Sequence, residues 1–172
     1  PAYTPMTGSW GLVGSWKNFY LNADFSFAIG KYMFSMDKQR FENDYYVRDK
    51  ETELNGSRRL FDYWKQPGDV TEFPSLEWVR SKNEVRQSTY FDSKMLENAS
   101  FMRLKNLTIG YQVPSTWLKG QRILTNAKVY FAGRNLLTFT KFRGIDPEVN
   151  HNVSMGANPN TKQLSVGVEL GF

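Results

Sequence analysis

The sequence has no cysteine and only one histidine among its 172 residues. Without cysteine, neither a disulfide framework nor a thiolate metal site can form. A histidine-based triad would have His151 as its only candidate base, and no G-x-S-x-G sequence accompanies it. We therefore expect no catalytic residue, no metal ligand and no cofactor, and interpret His151 as a solvated loop side chain.

Long apolar runs and blocks of one charge are also missing. A transmembrane helix needs roughly 20 consecutive apolar residues, and no such stretch occurs. The net charge is +5, but the 22 basic residues are scattered among 17 acidic ones rather than gathered into a basic patch. Helical membrane spans and nucleic-acid binding are therefore not expected.

Aromatic residues are abundant, at 16% of the chain, and many stand in strictly alternating segments. From Phe19 to Gly30 every second residue is apolar, and the run matches the roughly 9 to 11 residues of a strand that crosses a membrane at a tilt. From Leu164 to Phe172 the same alternation continues to an aromatic end. Both a membrane β-barrel and an ordinary antiparallel sheet show this period.

The alternation predicts an all-β chain of antiparallel strands joined by two long loops. A short helix capped by Ser57 and running toward Trp64 is expected in the first loop. Loops of this length are typical of functional surfaces. The predicted strands are at about 7–15, 19–36, 100–113, 124–139 and 161–172, with the loops at about 46–95 and 140–160.

Four motifs, in this order along the chain, carry a family resemblance. WKQPGD with a following FP occupies 64–74, SFMRLKNLTIGY occupies 100–111, YFAGRNLLT occupies 130–138 and GIDPE occupies 144–148. Together they resemble the carboxy-terminal sequence of SusC-like TonB-dependent outer-membrane transporters of the SusC/RagA family. The likeness extends over nearly the whole chain.

That resemblance implies a fold and a function. The family forms a 22-stranded barrel with an internal plug, and this chain is similar to its last five strands. It implies import of oligosaccharides or oligopeptides across the bacterial outer membrane, with energy from TonB and a SusD-like surface lipoprotein as partner. Five strands alone would leave open edges, so we expect pairing with the remainder of the barrel and plug and contact with outer-membrane lipids.

The resemblance and the alternation together give candidate site residues. Lys128, Tyr130 and Arg134 are expected to face the lumen, where Arg134 can pair with a plug carboxylate. Leu170 and Phe172 are similar to the signal that the membrane-insertion machinery recognises. The aromatic residues of the first loop are candidates for contact with a ligand or partner, or for packing of the loop; they are Tyr45, Tyr46, Tyr63 and Trp64.

Two alternatives stay open at this point. The alternating segments also suit a soluble all-β module that binds carbohydrate or peptide and buries its apolar faces against each other. Asp146 and Glu148, on either side of Pro147, could bind calcium or act in acid-base chemistry, but Asp-Pro is also a common turn element. No Asp-x-Asp-x-Asp-Gly loop supports the calcium interpretation, and we favour a structural role for the pair.

Overall fold

The computed structural model describes residues 4–42, 56–75, 77, 93–120, 123–149, 152–154, 156 and 158–172. The described residues are mainly in β-strands, as the alternation predicted. The strands are β1 Met6–Trp16, β2 Phe19–Ile29, β3 Tyr32–Ser35, β4 Leu96–Asn98, β5 Phe101–Gln112, β6 Asn126–Thr140, β7 Val153–Ser154 and β8 Gln163–Gly171. The helical elements are α1 Met36–Phe41, α2 Ser115–Leu118 and two 3₁₀ turns at Arg58–Phe61 and Ser93–Met95.

One compact unit of the chain contains a five-stranded sheet in the order β1-β2-β5-β6-β8. Every neighbouring pair in it is antiparallel. A tight turn joins β1 to β2, and Lys17 in that turn takes a left-handed conformation with φ 54°. Among the described residues, β1 and β8 each pair on one side only, so the two edges of the sheet carry unpaired backbone groups.

The register of the sheet collects apolar side chains on one face. Trp10 lies opposite Phe25, Leu21 opposite Ile109, and Phe131 opposite Val166. Polar side chains fill the alternate rows, as the period of two requires. These rows contain Ser9, Ser15, Tyr20, Asn22, Asp24, Ser26, Arg103, Asn106, Thr108, Lys128, Tyr130, Arg134, Thr138, Gln163, Ser165 and Glu169.

A β-bulge interrupts the two ladders of β5 at the same residue. The register shifts on both sides of Lys105, which has no partner in either ladder. On β6 the matching irregularity includes Asn135, with φ 51°. A bulge re-aims side chains relative to the pleat, and here it brings Lys105 to the polar face that Arg103 also occupies, where both bind Glu148.

The second unit comprises residues 33–97 and 150–157. It contains α1 and a small three-stranded sheet in the order β4-β3-β7, in which β3 and β7 are parallel. Where the sequence predicted one strand over 19–36, the structure ends β2 at Ile29 and turns at Gly30, which has φ 73°. The chain then forms β3, and the Ser35 side chain caps α1 by accepting a hydrogen bond from the Lys38 amide.

The first long loop contains a shorter helical element than the sequence predicted. Ser57 is its N-cap, with the side chain accepting from the Arg59 amide at 3.3 Å, but the 3₁₀ turn ends at Phe61. Tyr45 and Tyr46 lie outside the described residues. None of the helices in the described part of the chain is long and apolar enough to cross a membrane.

Candidate functional site: a two-faced sheet and a buried ion cluster

The apolar face of the five-stranded sheet is exposed. Trp10 and Phe25 stack on it across β1 and β2, with ring centroids 4.2 Å apart. The apolar side chains of β8 lack cover within the chain: Val166 keeps 75% of its surface and Leu164 keeps 67%. Water-soluble monomers rarely expose an apolar surface that continues over several strands. This face therefore requires an apolar environment.

The opposite face is polar, and its side chains bond across the strands. The Asn106 amide donates to Asp24 at 3.1 Å, and Lys128 pairs with Glu169 at 3.3 Å. Arg134 stands opposite Asn106 on one side and Gln163 on the other. The structure thus places the three lumen-facing candidates, Lys128, Tyr130 and Arg134, in the polar rows of this face.

Two tyrosine rings on the polar face lie across glycines of neighbouring strands. A Cβ atom at Gly110 would come within 2.3 Å of the Tyr20 ring, and one at Gly167 within 2.3 Å of the Tyr130 ring. Only glycine permits so close an approach. The Tyr130 ring therefore covers the backbone of β8 at the point where a strand interior would otherwise be weakest.

A buried ion cluster lies at the end of the sheet away from the β1–β2 turn. The Arg103 guanidinium donates to Asp146 at 2.6 Å, to Glu148 at 2.5 Å and, through Nε, to the Thr138 hydroxyl at 2.9 Å. Lys105 adds a second cation to Glu148 at 2.6 Å. A planar guanidinium suits this arrangement because it can donate along several fixed directions at once.

Asp146 is the most heavily bonded carboxylate of the described chain. Besides Arg103, it accepts from the backbone amide of Glu148 at 2.9 Å and from the amide and side chain of Asn160 at 2.8 and 3.1 Å. Burial alone would raise the pKa of Asp146, but the bonds from Arg103, Glu148 and Asn160 outweigh it and lower that pKa below the ordinary value. Asp146 is therefore held as a carboxylate.

Lys31 fastens the same segment through its backbone. Its ammonium group donates to the carbonyls of Pro147 at 2.6 Å and Val149 at 2.7 Å. Burial lowers the pKa of Lys31, although the nearby charges of Glu148 and Asp146 act in the opposite direction. The carbonyl contacts fix the chain on either side of Glu148.

The contacts bear directly on the calcium and structural interpretations of Asp146 and Glu148. Both carboxylates are paired with cations of the same chain, and Asp146 also closes a turn onto the Glu148 amide. Within the described ranges no group of three or more His, Cys, Asp or Glu side chains could hold a metal ion. The contacts agree with the structural role that we favoured for this pair.

In the second unit, another arginine bridges two carboxylates. Arg59 donates to Glu42 at 2.8 Å and to Glu72 at 2.7 Å, and Lys38 also pairs with Glu72. Beside Glu72, residues Trp64 to Ser75 line an open cleft of about 660 Å³. Trp64 lines this cleft, and Tyr63 pairs with Phe73 in an isolated bridge.

Leu170 and Phe172 lie at the end of the last strand. Leu170 stands opposite Ala127 in the apolar row of β8, and Phe172 is 80% exposed. Both are therefore accessible to another molecule, as the proposed insertion signal requires, although their contacts within the chain do not test that role.

Comparison with known proteins relates the chain to one group of receptors. No protein-family profile matches it. It is 30% identical to TonB-dependent receptor P3 of Formosa agariphila over 130 residues, 69% of this chain and 12% of the relative. It is 29% identical to TonB-dependent receptor SusC of Bacteroides thetaiotaomicron over 86 residues, half of this chain and 9% of the relative.

Solved structures of the RagAB peptide importer match more closely. In the closed-closed state the TM-score is 0.81 at 38% identity, with 99% of this chain and 18% of the matched chain covered. The open-open state gives the same TM-score and identity. The chain spans less than a fifth of the length of these relatives. Over that span, its sequence and fold are those of the SusC-like TonB-dependent receptors.

Proposed function

We propose that this chain forms the last five strands of a 22-stranded transmembrane barrel in a TonB-dependent importer of the bacterial outer membrane. The apolar face of the sheet contacts lipid, and the polar face lines the interior, against the plug. The observation that carries the proposal is the register, which aligns apolar rows across all five strands and leaves them exposed. The two unpaired edges are then continued by the rest of the barrel.

The proposed cargo is an oligopeptide or an oligosaccharide, delivered with a SusD-like lipoprotein and driven by TonB. Support for peptides comes from the structural match to a peptide importer at 38% identity. Support for glycans comes from the weaker match to SusC. We propose Lys128, Tyr130 and Arg134 as interior-facing residues, Tyr63 and Trp64 as partner or ligand contacts, and Leu170 with Phe172 as the assembly signal.

A matched pair of substitutions in β8 tests the orientation of the sheet. In the full-length protein, Val166→Arg places a charge on the proposed lipid face, whereas Ser165→Arg places it on the adjacent polar row. Arginine on the lipid face costs about 2 to 4 kcal/mol near the bilayer midplane and much less on the lumen side. We expect Val166→Arg to lower the amount of folded protein in the outer membrane far more than Ser165→Arg.

Equal losses from the two substitutions, or a greater loss from Ser165→Arg, would contradict this orientation. The rival is a soluble all-β binding module. A full-length protein that is monodisperse in water without detergent would support that rival and exclude the barrel. Removal of Phe172 tests the assembly signal: we expect less protein in the outer membrane, and an unchanged amount would refute it.

A further inference from the structure

The segment 142–149 follows β6 and turns back over the polar face of the sheet. Its carboxylates bind Arg103, and Arg103 stands between Ser26 and Thr138 in the polar rows of the neighbouring strands. The segment therefore covers the polar face at the end opposite the β1–β2 turn. In a barrel whose polar face is the interior, this position is at one mouth of the lumen.

Anchors from three distant parts of the chain hold the segment there. Lys31 binds its backbone carbonyls, Arg103 binds its two carboxylates, and Asn160 binds Asp146. Arg103 is the common element, because it joins Asp146 and Glu148 and is itself fixed by Thr138. With 5% of the Arg103 side chain and 3% of the Asp146 side chain exposed, these contacts are shielded from water. Such shielding makes an ion pair costly to open.

Exposure along the segment is uneven. Phe142, Asp146 and Pro147 are buried, whereas Ile145 keeps 56% of its surface. The buried positions anchor the segment and leave an apolar side chain free beside the anchor. A segment held in this way is a fixed surface and not a flap.

We infer that Arg103 is a positioning residue that holds segment 142–149 as a fixed wall at one mouth of the lumen, with Ile145 available to cargo. This inference rests on the proposed function for the cargo and on the observed contacts for the anchor. Arg103 acts through Asp146 and Glu148 and need not touch cargo itself.

Distance measurements on the full-length protein test the anchor directly. Spin labels at Thr7→Cys, on β1, and Ile145→Cys report the position of the segment, in a background where any other cysteine has been removed. We expect one narrow distance distribution in the parent and a broad one in Arg103→Ala. Arg103→Lys should fall between them, because a point charge cannot bond both carboxylates as a guanidinium does.

A control and a second pair of variants keep the test decisive. Lys128→Ala removes the exposed pair with Glu169 on the same face and should leave the distribution narrow. If Arg103→Ala fails to accumulate in the membrane, Asp146→Asn and Glu148→Gln remove the charges at unchanged shape and should broaden the distribution. A narrow distribution in either Arg103→Ala or this pair, at a normal amount in the outer membrane, would overturn the anchor.

Uptake of a defined mixture of short oligopeptides tests the consequence for cargo. With wild-type Ile145 and no labels, Arg103→Ala should raise the half-saturating concentration about tenfold, or roughly 1.4 kcal/mol, at an unchanged maximal rate per molecule. A purely structural role would lower only the amount of protein. An unchanged half-saturating concentration would overturn the role in cargo contact. No uptake by the parent would count against the proposed peptide cargo, while the distances would still decide on the anchor.

Discussion

Two arginines of this chain sit in nearly the same constellation but in different surroundings. Arg103 bridges Asp146 and Glu148, and Arg59 bridges Glu42 and Glu72; in each case a lysine shares one of the carboxylates. Only 5% of the Arg103 side chain is exposed, against 40% for Arg59. The difference shows that a drawing of the ion pairs does not determine their energetic weight.

Burial changes what is lost when a partner is removed. In the first cluster the remaining carboxylates would stay largely shielded from water, with no guanidinium to compensate them. In the second, water can solvate the groups left behind, and salt can screen them. The first cluster is therefore expected to determine whether its segment holds its position, whereas the second adds only modestly to local order.

The largest expected effect is that of Arg103→Met, which keeps much of the side-chain volume and removes the charge. Breaking a buried pair from one side costs about 3 to 5 kcal/mol. We expect faster hydrogen exchange at the amides of Glu148 and Asn160, both of which donate to Asp146. Hydrogen exchange on the native full-length protein measures this. Unchanged protection at both amides would show that the cluster is not a buried ion network.

Acidification should weaken the two networks in sequence. The pKa of Asp146 is lowered from an ordinary value of 3.8: burial opposes that change, but hydrogen bonds from Arg103, Glu148 and Asn160 prevail. The pKa of Glu72 is lowered from 4.5, chiefly by its hydrogen bond from Lys38. Each carboxylate stabilises the fold fully above its unfolded pKa, and this contribution disappears as the pH falls through its lower folded pKa.

The contribution of Glu72 therefore begins to decline at a higher pH than that of Asp146. Protection factors, which correct for the intrinsic pH dependence of exchange, should fall first at the amides of Glu42 and Ser57 in the second unit. Those of Glu148 and Asn160 should follow at lower pH. The reverse order would contradict the assignment of Asp146 as the more firmly held carboxylate.

The smallest expected effect is that of Arg59→Met, the matched change in the exposed network. Exposed ion pairs contribute about 0 to 1 kcal/mol. Protection at the Ser57 and Glu42 amides should change little, and added salt should reduce the remaining difference between parent and variant. A loss as large as that of Arg103→Met would mean that exposure does not separate the two clusters.

The sheet could be predicted from the sequence because its signal is local. The period of two from Phe19 to Ile29 follows from a strand with one apolar side, and the structure has β2 there. The main chain continues differently beyond that point, where Gly30 turns with φ 73° and Ser35 caps α1. Those events depend on a single backbone conformation and a single cap, which a pattern averaged over a long segment does not show.

The ion cluster could not be predicted in the same way. Arg103 and Asp146 are 43 residues apart, and no periodicity connects them. A usable signal was present in the break of alternation at Lys105 and Asn106, two consecutive polar residues between Leu104 and Leu107. Such a break indicates a bulge, but it does not say which distant residue will meet the side chains that the bulge redirects.

The tyrosine that lies across Gly167 settles an ambiguity that hydrophobicity leaves open. Shifting β8 by one residue against β6 would exchange its two faces, so the apolar pattern forbids it. Shifting it by two would keep every apolar side chain on the correct face. It would, however, bring Ser165 or Glu169 beneath the Tyr130 ring, where even a Cβ does not fit. The polar face, through one glycine, thus selects a unique alignment among those that the apolar face permits.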